Sequence, residues 1–183
     1  MICADVAQYV RLMGEDEQAT MNVWWSYRCT LIDPTVARHG GRLVKLTGDG
    51  FLAEMGSADE AVACALAIQE GVARRNVGVA AGRRMEFRIG INWCEVVADL
   101  EDIYGEGVNI AARLESLAEP GGVCVSQAIR DRLSSSSGAV FEDLGLQILK
   151  HVAEPVQAYR VRAMTAGVGS AAHSPETRIP SPV

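Results

Sequence analysis

The chain is expected to fold as an α+β sandwich, one mixed or antiparallel sheet with helices packed mainly on one face. Three observations point there. Short apolar runs of strand length return repeatedly through segments with helical spacing, an Asp-Gly step at Gly48-Asp49-Gly50 marks a hairpin, and 183 residues that are 49% hydrophobic can bury one sizeable core.

Met1 to Val6 reads as a short buried strand. Glu15 to Ile32 has helical composition, with Met21, Trp24, Trp25, Cys29 and Ile32 on overlapping faces. Asp33-Pro34 resembles an N-cap followed by proline at the first helical position, so this long helix is expected to bend or restart there and to end at Gly40-Gly41. Arg42 to Thr47 and Phe51 to Met55 are the strands of the hairpin, which leaves Asp49 at its exposed tip. Ser57 and Glu60 form a capping-box pattern ahead of a helix carrying Ala61, Val62, Ala65, Leu66 and Val72, ending near Arg75-Asn76.

After a loop around Gly82, Met85 to Asn92 and Glu95 to Leu100 read as a strand pair, Gly107 to Ala118 as a helix and Gly122 to Val125 as a strand. Ser126 is expected to cap a short helix to Leu133, with Ser134 to Gly138 a polar loop. Strands follow near Phe141 and Leu146, and a last one spans Val156 to Val161. This divides the chain into one domain over residues 1–163 and a flexible, disordered tail over 164–183, rich in Gly, Ser, Ala and Pro.

Composition narrows the function. A net charge of -6 and 5% aromatic residues do not make a general nucleic-acid surface, although a few focused cations could still bind a small polyanion. Cys3, Cys29, Cys64, Cys94 and Cys124 are scattered with no zinc spacing, which reads as free thiols in a reducing, cytoplasmic setting. No apolar stretch approaches the roughly 18 residues needed to cross a bilayer, so no membrane insertion is expected.

The chemistry centres on Asp5, at a strand end, and Asp49, at a hairpin tip. Carboxylates that converge from two such places suit a pair of divalent cations, and paired cations suit phosphoryl transfer from a nucleotide. Taken singly, Asp49 could simply make a turn and Asp5 could cap the following helix. Asn109 and Arg113 stand four apart on one helix face, where a neutral hydrogen-bonder and a fixed cation match a ribose and a developing phosphoryl charge.

The ordered set Asp5-Val6, Arg11 to Glu17, Lys45 to Gly50, Arg88-Ile89-Gly90-Ile91-Asn92 and Asp102 to Glu115 resembles the class III nucleotidyl cyclases from about Ile2 to about Val161. The resemblance implies a ferredoxin-like core. It also implies Asp5, Asp49 and the Val6 carbonyl as ligands of two Mg²⁺ or Mn²⁺ ions, with Asn109 and Arg113 as the transition-state pair. Lys45 and Asp102 would read the base. An ammonium and a carboxylate complement the N1 acceptor and amine donor of adenine, so ATP is the expected substrate and adenylate cyclase the expected activity. Lys150 matches the lysine that the family uses on the triphosphate, and Arg88 a strand arginine that can also face phosphates. The metal ligands of this family come from one subunit and the other residues from its partner, so a homodimer with two equivalent sites is expected and a monomer should be inactive.

The pattern is broken in places. Related cyclases bring several more residues ahead of Met1, glycine at the position of Gln8, a hydroxyl residue at that of Val10 and glycine within Trp93-Cys94-Glu95. Loss of one charge-assisted hydrogen bond costs about 1.5 to 3 kcal/mol, enough to weaken turnover. The alternative is therefore a degenerate cyclase-like domain that binds nucleotide or dimerises as a regulatory partner.

Overall fold

The computed structural model describes residues 1–94, 97–99, 102–134 and 138–164. The expected tail beyond Met164, Glu95 and the middle of the Ser134–Gly138 loop lie outside the described residues.

Nine strands are described: β1 (Ile2–Val6), β2 (Arg42–Leu46), β3 (Gly50–Glu54), β4 (Phe87–Ile91), β5 (Val97–Asp99), β6 (Asp102–Tyr104), β7 (Val123–Ser126), β8 (Ala139–Gln147) and β9 (Val156–Ala163). Between them run α1 (Tyr9–Glu15), α2 (Glu17–Tyr27), α3 (Asp33–Arg38), α4 (Ala58–Arg75), α5 (Glu106–Leu117) and α6 (Gln127–Arg130). Seven strands form one sheet in the order β2-β3-β1-β4-β7-β9-β8. Of these neighbours, β4 and β7 are parallel and the rest antiparallel, which makes the sheet mixed as expected.

Alternation along the strands sorts side chains to the two faces. Ile2, Ala4 and Val6 join Phe51, Phe87 and Ile89 beneath α2, α3 and α4, in the main core. Cys3 and Leu52 point the other way and meet Ala111 of α5, which packs on the opposite face. Phe51, Phe87 and Ile89 are completely buried, each stabilising the fold by about 1.5 to 3 kcal/mol.

Several local expectations are corrected. β5 pairs with β6 in a separate two-stranded ribbon, so the segment after Asn92 does not fold back on β4. Asp33 lies inside a continuous helical path, not at a cap: a widened turn at Arg28–Ile32 joins α2 to α3, and the Asp33 carboxylate accepts from Arg28 at 3.0 Å. Such a turn lets the helix continue past Pro34, which has no N–H to give. The two strands near Phe141 and Leu146 are one strand, bent where its register shifts between Asp143 and Gly145. Ser57 does cap α4, accepting from the Glu60 amide at 3.1 Å, but Glu60 turns its carboxylate to His39 at 2.6 Å and leaves the box half closed. Ser126 makes no side-chain cap and donates instead to buried Asn92 at 2.7 Å.

Candidate active site

Two glycines bring the site together by leaving room. A Cβ on Gly50 would lie 2.0 Å from the Ala4 carbonyl oxygen, so only glycine lets the β2–β3 hairpin close on β1 beside Asp49. The Asp49 carbonyl then accepts from the Val6 amide at 2.9 Å, pinning the tip to the end of β1. A Cβ on Gly90 would lie 2.1 Å from the Ala111 carbonyl and 2.2 Å from the Glu115 amide, so α5 rests directly on β4. That contact carries the Glu115 carboxyl to Asp5 and Arg88.

Asp5 sits between Gly50 and Arg88 in register. The Arg88 guanidinium grips it in a two-pronged ion pair, Nε donating to Oδ1 at 3.0 Å and Nη2 to Oδ2. Asp5 is therefore not the cap of α1, whose first residue follows Gln8 with no side-chain cap. Glu115 Oε1 lies 3.4 Å from the same Nη2, forming an ion pair without an aligned hydrogen bond, and that oxygen is buried with no hydrogen-bond partner.

Two carboxylates, Asp5 and Glu115, thus flank one guanidinium, and the charge of Asp49 also acts on it. The strain falls on Glu115, whose pKa is pushed up to about 8: burial is the largest cause, followed by the charge of Asp5 and a hydrogen bond with it, while Arg88 opposes and Asp49 adds. The Cys3 thiol beneath is pushed up to about 12, by burial first and then by Glu115, Asp5 and Asp49. Asp5 raises the Arg88 pKa in turn, chiefly through their hydrogen bond.

The carboxylate oxygens of Asp5, with Asp49 on the adjoining hairpin tip, are hard donors of the type a divalent cation takes. Among the described residues no group of three or more His, Cys, Asp and Glu side chains makes a complete metal cage. A two-carboxylate set is nevertheless what Mg²⁺ commonly uses, taking its remaining ligands from water and substrate phosphates.

The other candidates fall elsewhere. Arg113 is two positions from Glu115, about 200° around α5, and its Nε donates to the Lys150 carbonyl at 3.2 Å. Asn109, Arg113 and Lys150 therefore form a second group, turned away from Asp5, with Asn109 and Lys150 exposed. The start of α5 is fixed by Asn92, which donates to the Gly107 carbonyl at 3.0 Å. Lys45 lies exposed on β2, and Asp102 opens β6, whose backbone runs beside β2. A 530 Å³ cavity near the start of α5, lined by Gly107, Ile110, Gln127 and Val156 among others, contains none of these candidates.

The departures also have structural expression. Gln8 adopts the left-handed conformation (φ 57, ψ 31) that favours glycine, and its side-chain oxygen accepts from Arg11 Nε at 2.6 Å. Val10 is 85% exposed and offers no polar atom where the family carries a hydroxyl. Trp93 lies beneath the Arg132 guanidinium, 5.1 Å from ring centroid to charge, and a Cβ on Gly107 would come within 2.1 Å of Cys94 Cβ.

Glu115 was not among the residues singled out from the sequence. Its signal was present: it stands four after Ala111 and next to Leu114 on the buried stripe of α5, where a carboxylate needs a partner.

The profile of the adenylate and guanylate cyclase catalytic domain matches residues 1–162, and the chain belongs to that family. The crystal structure of an adenylate/guanylate cyclase/hydrolase from Silicibacter pomeroyi is 42% identical, with a TM-score of 0.78, covering 87% of this chain and 92% of that one. A Rhizobium meliloti (strain 1021) protein provisionally named adenylate cyclase 3 is 38% identical over 156 residues, 85% of this chain and 27% of the relative. The adenylate cyclase of Streptomyces coelicolor is 32% identical over 130 residues, 71% of this chain and 32% of the relative. The chain thus spans about a third or less of these curated relatives. No helix among the described residues is long and apolar enough to cross a membrane.

Proposed function

We propose that this cyclase domain is an adenylate cyclase that converts ATP to 3′,5′-cyclic AMP and pyrophosphate at a site completed by a second copy of the chain. The observation that carries the reading is the separation of the Asp5–Asp49 group from the Asn109–Arg113–Lys150 group by the body of α5. Two halves that turn away from one another in one chain can face one another across a two-fold axis.

Asp5, Asp49 and the Val6 carbonyl would hold Mg²⁺ or Mn²⁺, two per site. When bound, these cations lower the pKa of the ribose 3′-hydroxyl and neutralise phosphate charge. The 3′-oxygen attacks the α-phosphorus as its proton passes to solvent water, and the bond to the pyrophosphate oxygen breaks, releasing pyrophosphate. Arg113 stabilises charge on the α-phosphoryl group, Asn109 orients the ribose, and Lys150 with Arg88 counters the leaving pyrophosphate. Lys45 donates to adenine N1 and Asp102 accepts from the exocyclic amine. The chain would act in the cytoplasm, with residues 1–163 as the catalytic unit.

Purified protein incubated with ATP or GTP and Mg²⁺ or Mn²⁺ is expected to form cyclic AMP in preference to cyclic GMP. Lys45→Glu combined with Asp102→Cys is expected to shift the ATP-to-GTP ratio of kcat/KM by at least tenfold toward GTP, because guanine presents the opposite polarity at that edge. An unchanged ratio would remove these residues from base selection. A second reading, a regulatory domain without significant turnover, is favoured by the bulky cradle at Gln8 and Val10. ATP binding without cyclisation would select it.

A further inference from the structure

We propose that Arg88 is a resident counter-cation that occupies Asp5 in the absence of metal, and that Glu115 is the positioning residue to which its guanidinium transfers when a divalent ion takes Asp5. The inference rests on the reading of Asp5 and Asp49 as metal ligands.

Three observations carry it. Arg88 uses both Nε and Nη2 on Asp5, so both carboxylate oxygens are engaged on the side facing β4. The same Nη2 is already 3.4 Å from Glu115 Oε1, so a small side-chain rotation exchanges one acceptor for the other. Glu115 Oε1 is buried without a hydrogen-bond partner, an arrangement that is costly unless a donor reaches it in another state of the site. The asymmetry lies within one cluster: Arg88 donates to both oxygens of Asp5, whereas Glu115 Oε1 receives no hydrogen bond.

The consequence is a competition. A cation arriving at Asp5 must displace two charge-assisted hydrogen bonds, and Glu115 offsets that loss by accepting the released guanidinium. Metal affinity is then set by the Asp5–Arg88–Glu115 triangle, and not by the two aspartates alone. Held by Glu115, Arg88 stays beside the phosphates with donors to spare.

The test is Mn²⁺ binding to the intact chain without nucleotide, followed by the electron paramagnetic resonance of the free ion, with far-ultraviolet circular dichroism to establish that each variant is folded. Arg88→Met is expected to tighten Mn²⁺ binding at least tenfold and Glu115→Leu to weaken it by a similar factor, with Glu115→Gln, which keeps an acceptor oxygen, in between. In the Arg88→Met background, Glu115→Leu is expected to have no further effect, since Glu115 acts through Arg88. Equal weakening in both backgrounds would reduce Glu115 to a contributor of local charge and overturn the transfer, as would Arg88→Met leaving Mn²⁺ affinity unchanged. Asp5→Asn and Asp49→Asn separate the two ideas. If they abolish binding while Arg88→Met fails to tighten it, the transfer alone is wrong. If neither the wild type nor Arg88→Met binds Mn²⁺ in a manner that depends on these aspartates, the metal-site reading fails with it.

Discussion

Arg113→Ala is expected to lower the cyclisation rate by about 100- to 1000-fold, the range seen when one preorganised charge donor is removed from a transition state. The side chain lies on the face of α5 turned away from Asp5, and its Nε contact is with the Lys150 carbonyl. Nothing in the Asp5–Arg88–Glu115 cluster depends on it, so Mn²⁺ binding and thermal stability should stay near wild type while kcat falls. That split is what separates a transition-state role from a structural one. Rapid-quench measurement of cyclic nucleotide formation, beside a melting curve, reads both; a loss under tenfold, or a loss matched by unfolding, would contradict the assignment.

Glu115→Gln is expected to stabilise the chain progressively as pH rises. The Glu115 pKa stands at about 8 in the folded chain against an ordinary value of 4.5, so between these values the native state holds a proton that the unfolded state has released. Stability contributed by the protonated group is therefore fully present below about 4.5, falls as pH rises toward 8, and is lost above it. Glutamine is neutral throughout and escapes that slope. The variant should melt close to wild type near pH 5 and above it at pH 8 to 9, the difference reaching a few kcal/mol in order of magnitude. Parallel melting-temperature curves across the range would show that Glu115 is not titrating where burial and the neighbouring Asp5 place it.

Much of this molecule was legible before any coordinates. The apolar run Met1 to Val6 marked a buried strand, though not which of its residues enter the main core, and the hairpin around Asp49 followed from its glycines. The reason was partly different: Gly48 takes the positive φ of +86, whereas Gly50 is required for clearance from β1. The motifs that mark the family were legible as an ordered set, because each carries a distinctive residue type at a fixed spacing. Long-range placement was not. The pairing of β5 with β6, the direct seat of α5 on Gly90 and the meeting of Arg88 with both Asp5 and Glu115 depend on which faces touch across the sheet, and local pattern does not encode that. Glu115 in particular looked like one more charge on a helix, since only its position on the buried stripe distinguishes it.

Two carboxylates on one chain, with Asn109 and Arg113 on another, would make a single cyclase site. Mixing Asp49→Ala with Arg113→Ala, each inactive alone, tests it most directly. Random pairing makes about half the dimers mixed, each with one site free of both lesions, so the mixture should recover up to about a quarter of wild-type cyclic AMP formation. A mixture that exchanges subunits freely and remains as inactive as its parents would contradict the account.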